Sequence, residues 1–250
     1  MKYPFVHSAP FRGYPVSVFE ERSTELERID TGDYTPEEYA TFLREIRFIN
    51  RYLGDSRALR KSLLSDVKEK NLREFSVLDV ACGSGELLRE VAKFALDDRR
   101  SARLVGIDLN ELSFAGEREQ KEFDQTIDYV RGDAFRLPFP DRSFDYAISS
   151  LFFHHLDDAQ IPEVMREMSR VSRLGVFVID LHRHAAAYAL YKLFCFAFRI
   201  SPLVAQDGSL SIRKGFRPGE LDRIASRSDL HTLRVTPFRL VVASRIEDEL

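Results

Sequence analysis

Apolar residues recur at helical spacing at Tyr39, Phe42, Leu43, Ile46, Ile49 and Leu53, which predicts a long helix with one buried face. Its start is marked by Thr35-Pro36-Glu37-Glu38. Thr35 can cap, Pro36 suits the first helical position, and Glu38 completes a capping box. Gly54 ends the run. A second helix is expected over Ser56–Lys70, with Leu59, Leu63, Leu64 and Val67 on one face. From residue 75 the pattern changes to short apolar runs alternating with helical stretches. Strands are expected at Phe75–Val80, Arg103–Ile107, Thr126–Arg131, Phe144–Ser150 and Gly175–Leu181. Helices are expected from the glycine turn to about Leu96, over Asn110–Phe123 and over Ala159–Ser172.

Five strands separated by helices imply a parallel sheet covered on both faces. Beyond Leu181 the pattern predicts a helix at Ala185–Phe198, a loop around Ser201–Gly215 and a helix near Pro218–Ser226. Two closing strands, Leu230–Val235 and Phe238–Ser244, are joined only by Thr236-Pro237. A parallel crossover needs a dozen or more residues, so this pair must be antiparallel. The expected organisation is an N-terminal arm and helical lid over residues 1–70, then an α/β domain over 71–250 with a lid insertion at about 183–216.

Composition narrows the class. The chain has 250 residues, 37 basic and 40 acidic, for a net charge of −3, with 44% hydrophobic residues. It can therefore build a core without disulfides or metals. Cys82 and Cys195 are the two cysteines, which excludes a disulfide scaffold and suits a reducing compartment. The slight acidic balance argues against a nucleic-acid partner, although Arg213-Lys214-Gly215-Phe216-Arg217 forms a small basic patch, read as a solvated loop or a lid. The longest stretch free of Asp, Glu, Lys and Arg, Tyr146–Leu156, is far shorter than the roughly 20 residues a membrane span needs. Pro4, Pro10 and Pro15 interrupt an N-terminus without an apolar signal core, so a cytoplasmic location is expected, as a monomer or homodimer.

Three strand ends carry the candidate chemistry. In Val77-Leu78-Asp79-Val80-Ala81-Cys82-Gly83-Ser84-Gly85 a buried strand delivers an acid, and the glycines let the backbone turn against a ligand. Asp108 ends the second strand, where an acid can accept both hydroxyls of a ribose. Asp133-Ala134 ends the third, where a carboxylate can receive an adenine amino group and alanine leaves room for the ring. A lone acid at such a place is commonly a solvated loop residue. Three at successive strand ends point to a nucleoside ligand. Leu88 stands where a dinucleotide fingerprint needs glycine or alanine, which argues against a nicotinamide-dependent oxidoreductase. Asp79 would repel a pyrophosphate but suits a ligand with an ammonium group.

On these residues the chain resembles class I S-adenosylmethionine-dependent methyltransferases. Leu78 to Gly85 resembles their first motif, Asp108 their ribose-binding acid, Asp133-Ala134 their adenine-contact pair and Phe144-Asp145-Tyr146-Ala147 their fourth motif. Ala81 departs from the family's usual glycine. The resemblance implies a Rossmann-like seven-stranded sheet with an antiparallel final strand, and S-adenosylmethionine as cofactor. The expected cofactor contacts are Asp79, Ala81, Cys82, Gly83, Gly85, Asp108, Leu109, Asp133, Ala134 and Ser150.

Methyl transfer is an in-line displacement, so the protein must align the acceptor and, for a hydroxyl, remove a proton. His154 and His155 follow the fourth strand and Asp180 ends the fifth; these three are the candidate catalytic residues. Either histidine can act as base, with Asp180 orienting the ring or binding the acceptor. The plain alternative is that one histidine caps the loop and the other packs against the cofactor. His-His-Leu at this place also resembles the small-molecule branch of the family. His182 and His184 lie nearby, but no metal is expected. The aromatic insertion containing Tyr188, Tyr191, Phe194, Phe196 and Phe198 suits core packing at most positions, yet beside the site it suggests an aromatic or lipophilic acceptor. Residues 30–39 and 49–53 are similar to methyltransferases encoded beside type III polyketide synthases, which implies O-methylation of a phenol or quinol. Carbon or nitrogen methylation, an oxidoreductase and a non-catalytic cofactor-binding protein are the competing readings.

Overall fold

The computed structural model describes residues 16–52, 54–110, 127–225, 230–235 and 238–245. Seven strands form one sheet in the order β3-β2-β1-β4-β5-β7-β6. They are β1 (Glu74–Val80), β2 (Ser101–Asp108), β3 (Ile127–Arg131), β4 (Phe144–Ser150), β5 (Ser172–Leu181), β6 (Leu230–Val235) and β7 (Arg239–Arg245). The first five are mutually parallel, with Leu78 opposite Val105 on one side and Ala147 on the other. β7 runs antiparallel to both β5 and β6. The parallel sheet with an antiparallel closing pair is thus what the strand pattern predicts, and the seven-stranded Rossmann-like whole is what the resemblance implies.

Alternate residues of each strand feed two cores, as the two-residue repeat of a strand demands. Leu78, Val105, Ala147, Val176 and Val242 pack beneath α6 (Gln160–Val171), which contributes Ile161, Val164, Met165 and Met168. Val77, Tyr146, Ile148, Phe177 and Val241 face the opposite layer. That layer contains α3 (Asp55–Lys61), α4 (Leu63–Glu69) and α5 (Glu86–Asp97). A third cluster joins α2 (Pro36–Tyr52), α7 (Ala185–Phe198) and α8 (Pro202–Lys214) through Ile49, Tyr191, Cys195, Val204 and Ile212. A short helix α1 (Arg28–Thr31) precedes them, and α9 (Glu220–Ile224) leads toward β6.

The capping box at α2 forms in both directions. The Thr35 amide donates to Glu38 Oε2 at 2.9 Å and the Glu38 amide to Thr35 Oγ1 at 3.2 Å. The helix expected over Ser56–Lys70 is instead two helices. Ser62 leaves helical geometry (φ −116°, ψ −98°) while its hydroxyl donates to the Ala58 carbonyl at 2.8 Å. The helix expected over Asn110–Phe123 lies outside the described residues.

The expected loop at Ser201–Gly215 is wrong: most of it is α8. Gly208, Ser209 and Ser211 suggest a loop in sequence, but each is accommodated within the helix, and Ser201 stands at its N-cap. A Cβ on Gly208 would lie 2.1 Å from the Tyr191 hydroxyl, so glycine lets α7 and α8 approach closely. Ser209 and Ser211 donate to the carbonyls of Ala205 and Asp207, and Tyr191 donates to that of Val204. The basic patch is likewise not a solvated loop, because Lys214 is buried at the end of this helix.

A buried ion pair ties α3 to β7. Arg239 donates to Asp55 through Nε at 2.6 Å and through Nη2 at 3.0 Å, with both residues almost wholly buried. Asp55→Ala should lower unfolding free energy by about 3–5 kcal/mol, because Arg239 is left charged and unpaired. Chemical denaturation checks this. Adding Arg239→Met should restore much of the loss, and equal stability of Asp55→Ala and wild type would show that the pair contributes nothing.

Candidate active site

At β1 the connections diverge, and a crevice opens at the carboxyl ends of β1 and β4, as it does at such points in open parallel sheets. It widens into a cavity of about 1110 Å³, above the roughly 300–1,000 Å³ usual for one small ligand. One end is polar and built from strand ends. The other is an apolar chamber walled by Phe42, Ile46, Phe48, Leu190, Phe194 and Phe238.

Asp79, Ala81, Cys82, Gly83, Asp108, Leu109, Asp133, Ala134 and Ser150 all border the polar end. Gly85 does not. It stands behind the turn at φ +74°, where an added Cβ would meet the Tyr129 hydroxyl at 2.2 Å. Ala81 has φ 58°, a left-handed conformation that costs a non-glycine residue about 1–2 kcal/mol. This is why glycine suits that position. Asp108 organises the turn: its Oδ2 accepts from the Gly83 amide and its Oδ1 from the Asn110 amide, each at 2.9 Å. Each oxygen keeps a further lone pair for a hydroxyl.

Asp79 is 2% exposed, and its Oδ1 has no hydrogen-bond partner. Burial, with Asp108 nearby, pushes its carboxyl well above the usual carboxylate range. The same burial, with these two acids, raises the Cys82 thiol and keeps it protonated. An unpaired carboxylate beside a crevice is costly unless a positive ligand group answers it. The donor set therefore fits a nucleoside with a ribose near Asp108 and a cationic arm near Asp79, as S-adenosylmethionine has.

The candidate catalytic residues meet at the boundary of the two ends. Asp180 is 1% exposed and does not border the cavity; it cannot contact an acceptor directly. Its Oδ1 lies 2.7 Å from His154 Nδ1, and it also accepts the amides of His154 at 3.1 Å and Leu181 at 2.6 Å. Burial would raise Asp180, but the charge and hydrogen bonds of His154 and the two amides hold it below the ordinary range. An ionised carboxylate only accepts, so His154 Nδ1 carries a proton, and in the neutral imidazole Nε2 then presents a lone pair.

Nε2 faces a carboxylate that the sequence reasoning missed. Glu27 Oε1 lies 4.0 Å from it, buried and without a hydrogen-bond partner. Burial pushes Glu27 up against the opposing pull of His155, Lys214 and Ser211. Lys214 Nζ stands 3.4 Å from both Glu27 and Asp30, and Asp30 lies 3.0 Å from His155 Nδ1. Single atoms of Glu27, His154 and His155 all fall within 4.8 Å of one another, a spacing that could hold a metal. The Lys214 ammonium already supplies a positive charge there. His184 instead caps α7, accepting the Ala186 amide, while His182 borders the cavity. Glu27 was not legible because Glu25-Leu26-Glu27-Arg28 looks like solvated chain. Long-range contacts with α8, from Ser211 and Lys214, help to bury it.

Residues 77–175 match a family model described as a methyltransferase domain. The chain is 38% identical over 112 residues to a 2-phytyl-1,4-naphtoquinone methyltransferase of Synechococcus elongatus, covering 43% of this chain and 46% of that protein. It is 27% identical over 133 residues to a demethylmenaquinone methyltransferase of Staphylococcus aureus, covering 53% and 52%. The matches thus span about half the length of these curated relatives. Among solved structures, magnesium protoporphyrin IX methyltransferase from Synechocystis with bound SAH aligns with TM-score 0.60 and 15% identity, over 88% of this chain and all of that one. A SAM-dependent methyltransferase from Aquifex aeolicus aligns with TM-score 0.57 and 18% identity, over 86% and 100%. At these identities the structural likeness concerns the fold.

Two outcomes follow for the polar end. A carboxyl raised by folding weakens the fold only when pH is high enough to ionise it in the unfolded chain. Asp79→Asn should therefore be more stable than wild type at pH 7, the gain vanishing as pH falls below about 4, while S-adenosylhomocysteine binding weakens. Denaturation across pH and calorimetric titration check the pair; a variant less stable by the same margin at pH 7 and pH 3 would contradict it. Asp108→Ala should weaken that binding by about 1.5–3 kcal/mol, the range of a hydrogen bond to a charged group. Unchanged affinity would remove Asp108 from ligand binding.

Proposed function

We propose that this chain, whose residues 77–175 match a methyltransferase domain, is a class I S-adenosylmethionine-dependent methyltransferase that methylates the hydroxyl of a small aromatic, lipophilic acceptor such as a phenol or quinol. The observation that carries this reading is the Asp180–His154 pair. It sets an available imidazole nitrogen where the polar crevice meets the apolar chamber. When bound, the cofactor supplies a methyl group on a positively charged sulfur that departs as a neutral thioether.

The chain's own residues do the rest. Asp79 receives the positive arm of the cofactor, Asp108 the ribose, and Asp133 with Ala134 the base. The apolar walls from α2 and α7 hold the acceptor's ring and exclude water. His154 Nε2 takes the hydroxyl proton as the oxygen attacks the methyl carbon, and Asp180 stabilises the resulting imidazolium. Glu27 Oε1 lies 4.0 Å from the same nitrogen. The relatives named as 2-phytyl-1,4-naphtoquinone and demethylmenaquinone methyltransferases support a quinone-type, lipophilic acceptor.

His154→Ala should leave S-adenosylhomocysteine affinity nearly intact and lower turnover of the true acceptor by about 10²–10⁴-fold. In Asp180→Asn the amide can donate to Nδ1, which forces the proton onto Nε2, so turnover should fall in the same direction. A panel of phenols and quinols with labelled S-adenosylmethionine supplies the measurement. Full turnover by both His154→Ala and His155→Ala would overturn the base and favour a carbon or nitrogen acceptor.

A further inference from the structure

The aromatic insertion divides into two faces. On α7 the stripe Ala187, Tyr191 and Cys195 is buried, as four-residue spacing along a helix allows. The opposite stripe is exposed and apolar: Leu190 is 54% exposed, Leu193 57% and Phe196 84%. Phe198, 56% exposed, closes the helix and packs with Phe48 of α2 and with Phe194. Core packing explains Tyr191 but none of the exposed stripe. So large a group of exposed apolar side chains on one helix marks an interaction surface.

We propose that this face of α7 docks on the surface of an anionic lipid bilayer, so that the apolar chamber opens toward acceptor dissolved in the lipid. Two observations select a bilayer. The first is charge. From Ala185 to Ile200 there is no Asp or Glu, and exposed Lys192 and Arg199 flank the stripe although the chain as a whole is acidic. Exposed Arg44 lies on α2, the helix that carries Phe48. Apolar residues with basic residues at their edge suit a helix lying in an anionic interface. A symmetric pairing of two copies through this face would instead bring cations together with no acid from α7 to offset them.

The second observation is continuity. Leu190, Phe194 and Phe48 belong at once to this face and to the wall of the apolar chamber. A lipophilic acceptor could pass from the acyl region into the chamber without exposing its tail to water. Among the described residues no helix is long and apolar enough to cross a membrane. The contact is therefore one of a helix lying on the surface.

The test is flotation of the full chain with phosphatidylcholine vesicles, with and without phosphatidylglycerol. Wild type should float with the anionic vesicles, and Leu193→Asp/Phe196→Asp should bind them at least about tenfold more weakly, the effect of removing one large apolar side chain from lipid. Neither residue borders the cavity, so S-adenosylhomocysteine affinity and the thermal midpoint should stay at wild-type values. Lys192→Glu/Arg199→Glu should abolish the preference for anionic vesicles. Wild type that floats with neither vesicle, or an apolar-face variant that binds as well as wild type, would overturn the proposal. So would a wild-type dimer that the variant converts to monomer without any lipid binding, which assigns the face to a second copy. Vesicle binding is read without turnover, so its failure is distinguishable from failure of the methyl-transfer reading.

Discussion

β1 passes its chain toward β2 on one side of the sheet, while β4, its neighbour on the other side, passes its chain toward β5. The connections leaving these two strand ends turn away from each other, and the crevice follows from that divergence. Everything chemical in the molecule is arranged around it. Asp79, Asp108 and Asp133 arrive there because each lies at or just beyond the carboxyl end of β1, β2 or β3. His154 and Asp180 arrive because β4 and β5 run parallel with Ser150 opposite Ile179, which places the turn after β4 beside the end of β5. Leu151, at φ 53°, makes that turn.

The crevice gathers buried charge, and the protein treats its two ends differently. At the acceptor end the charges are cross-compensated: Asp180 by His154, Asp30 by His155 and Lys214, Glu27 by Lys214 and Ser211. Arg22 fastens the chain segment that delivers Glu27, donating to the carbonyls of Lys214 at 3.1 Å and Leu156 at 2.8 Å. Arg183, 1% exposed, holds the same segment through the carbonyls of Phe19 and Glu20. At the proposed cofactor end Asp79 has no such compensation among the described residues. On the proposed function, the stability given up there serves affinity for a cationic ligand, a trade common to binding sites.

Local pattern made most of the fold legible. Alternation and flanking turns placed β4 at Phe144–Ser150 and α7 at Ala185–Phe198, and the two-residue connection required the antiparallel closing pair. The misreadings came from residues whose meaning is tertiary. Gly208 looks like a helix breaker until Tyr191 packs against it, and Ser62 looks helical until its hydroxyl bonds back to Ala58. In the site, strand-end acids were visible because topology alone brings them together. Glu27, Asp55, Lys214 and Arg239 were not, because partners 180 or more residues away bury them. The exposure of Phe196 was equally invisible, since composition cannot tell a helix's inner face from its outer one.

A crystal structure of the chain grown with S-adenosylhomocysteine tests the central claim most directly. The amino group of the ligand should sit against the Asp79 carboxylate and the ribose hydroxyls against Asp108, with His154 Nε2 facing the open apolar chamber. A ligand bound away from the crevice, or one that leaves Asp79 without a partner, would contradict it.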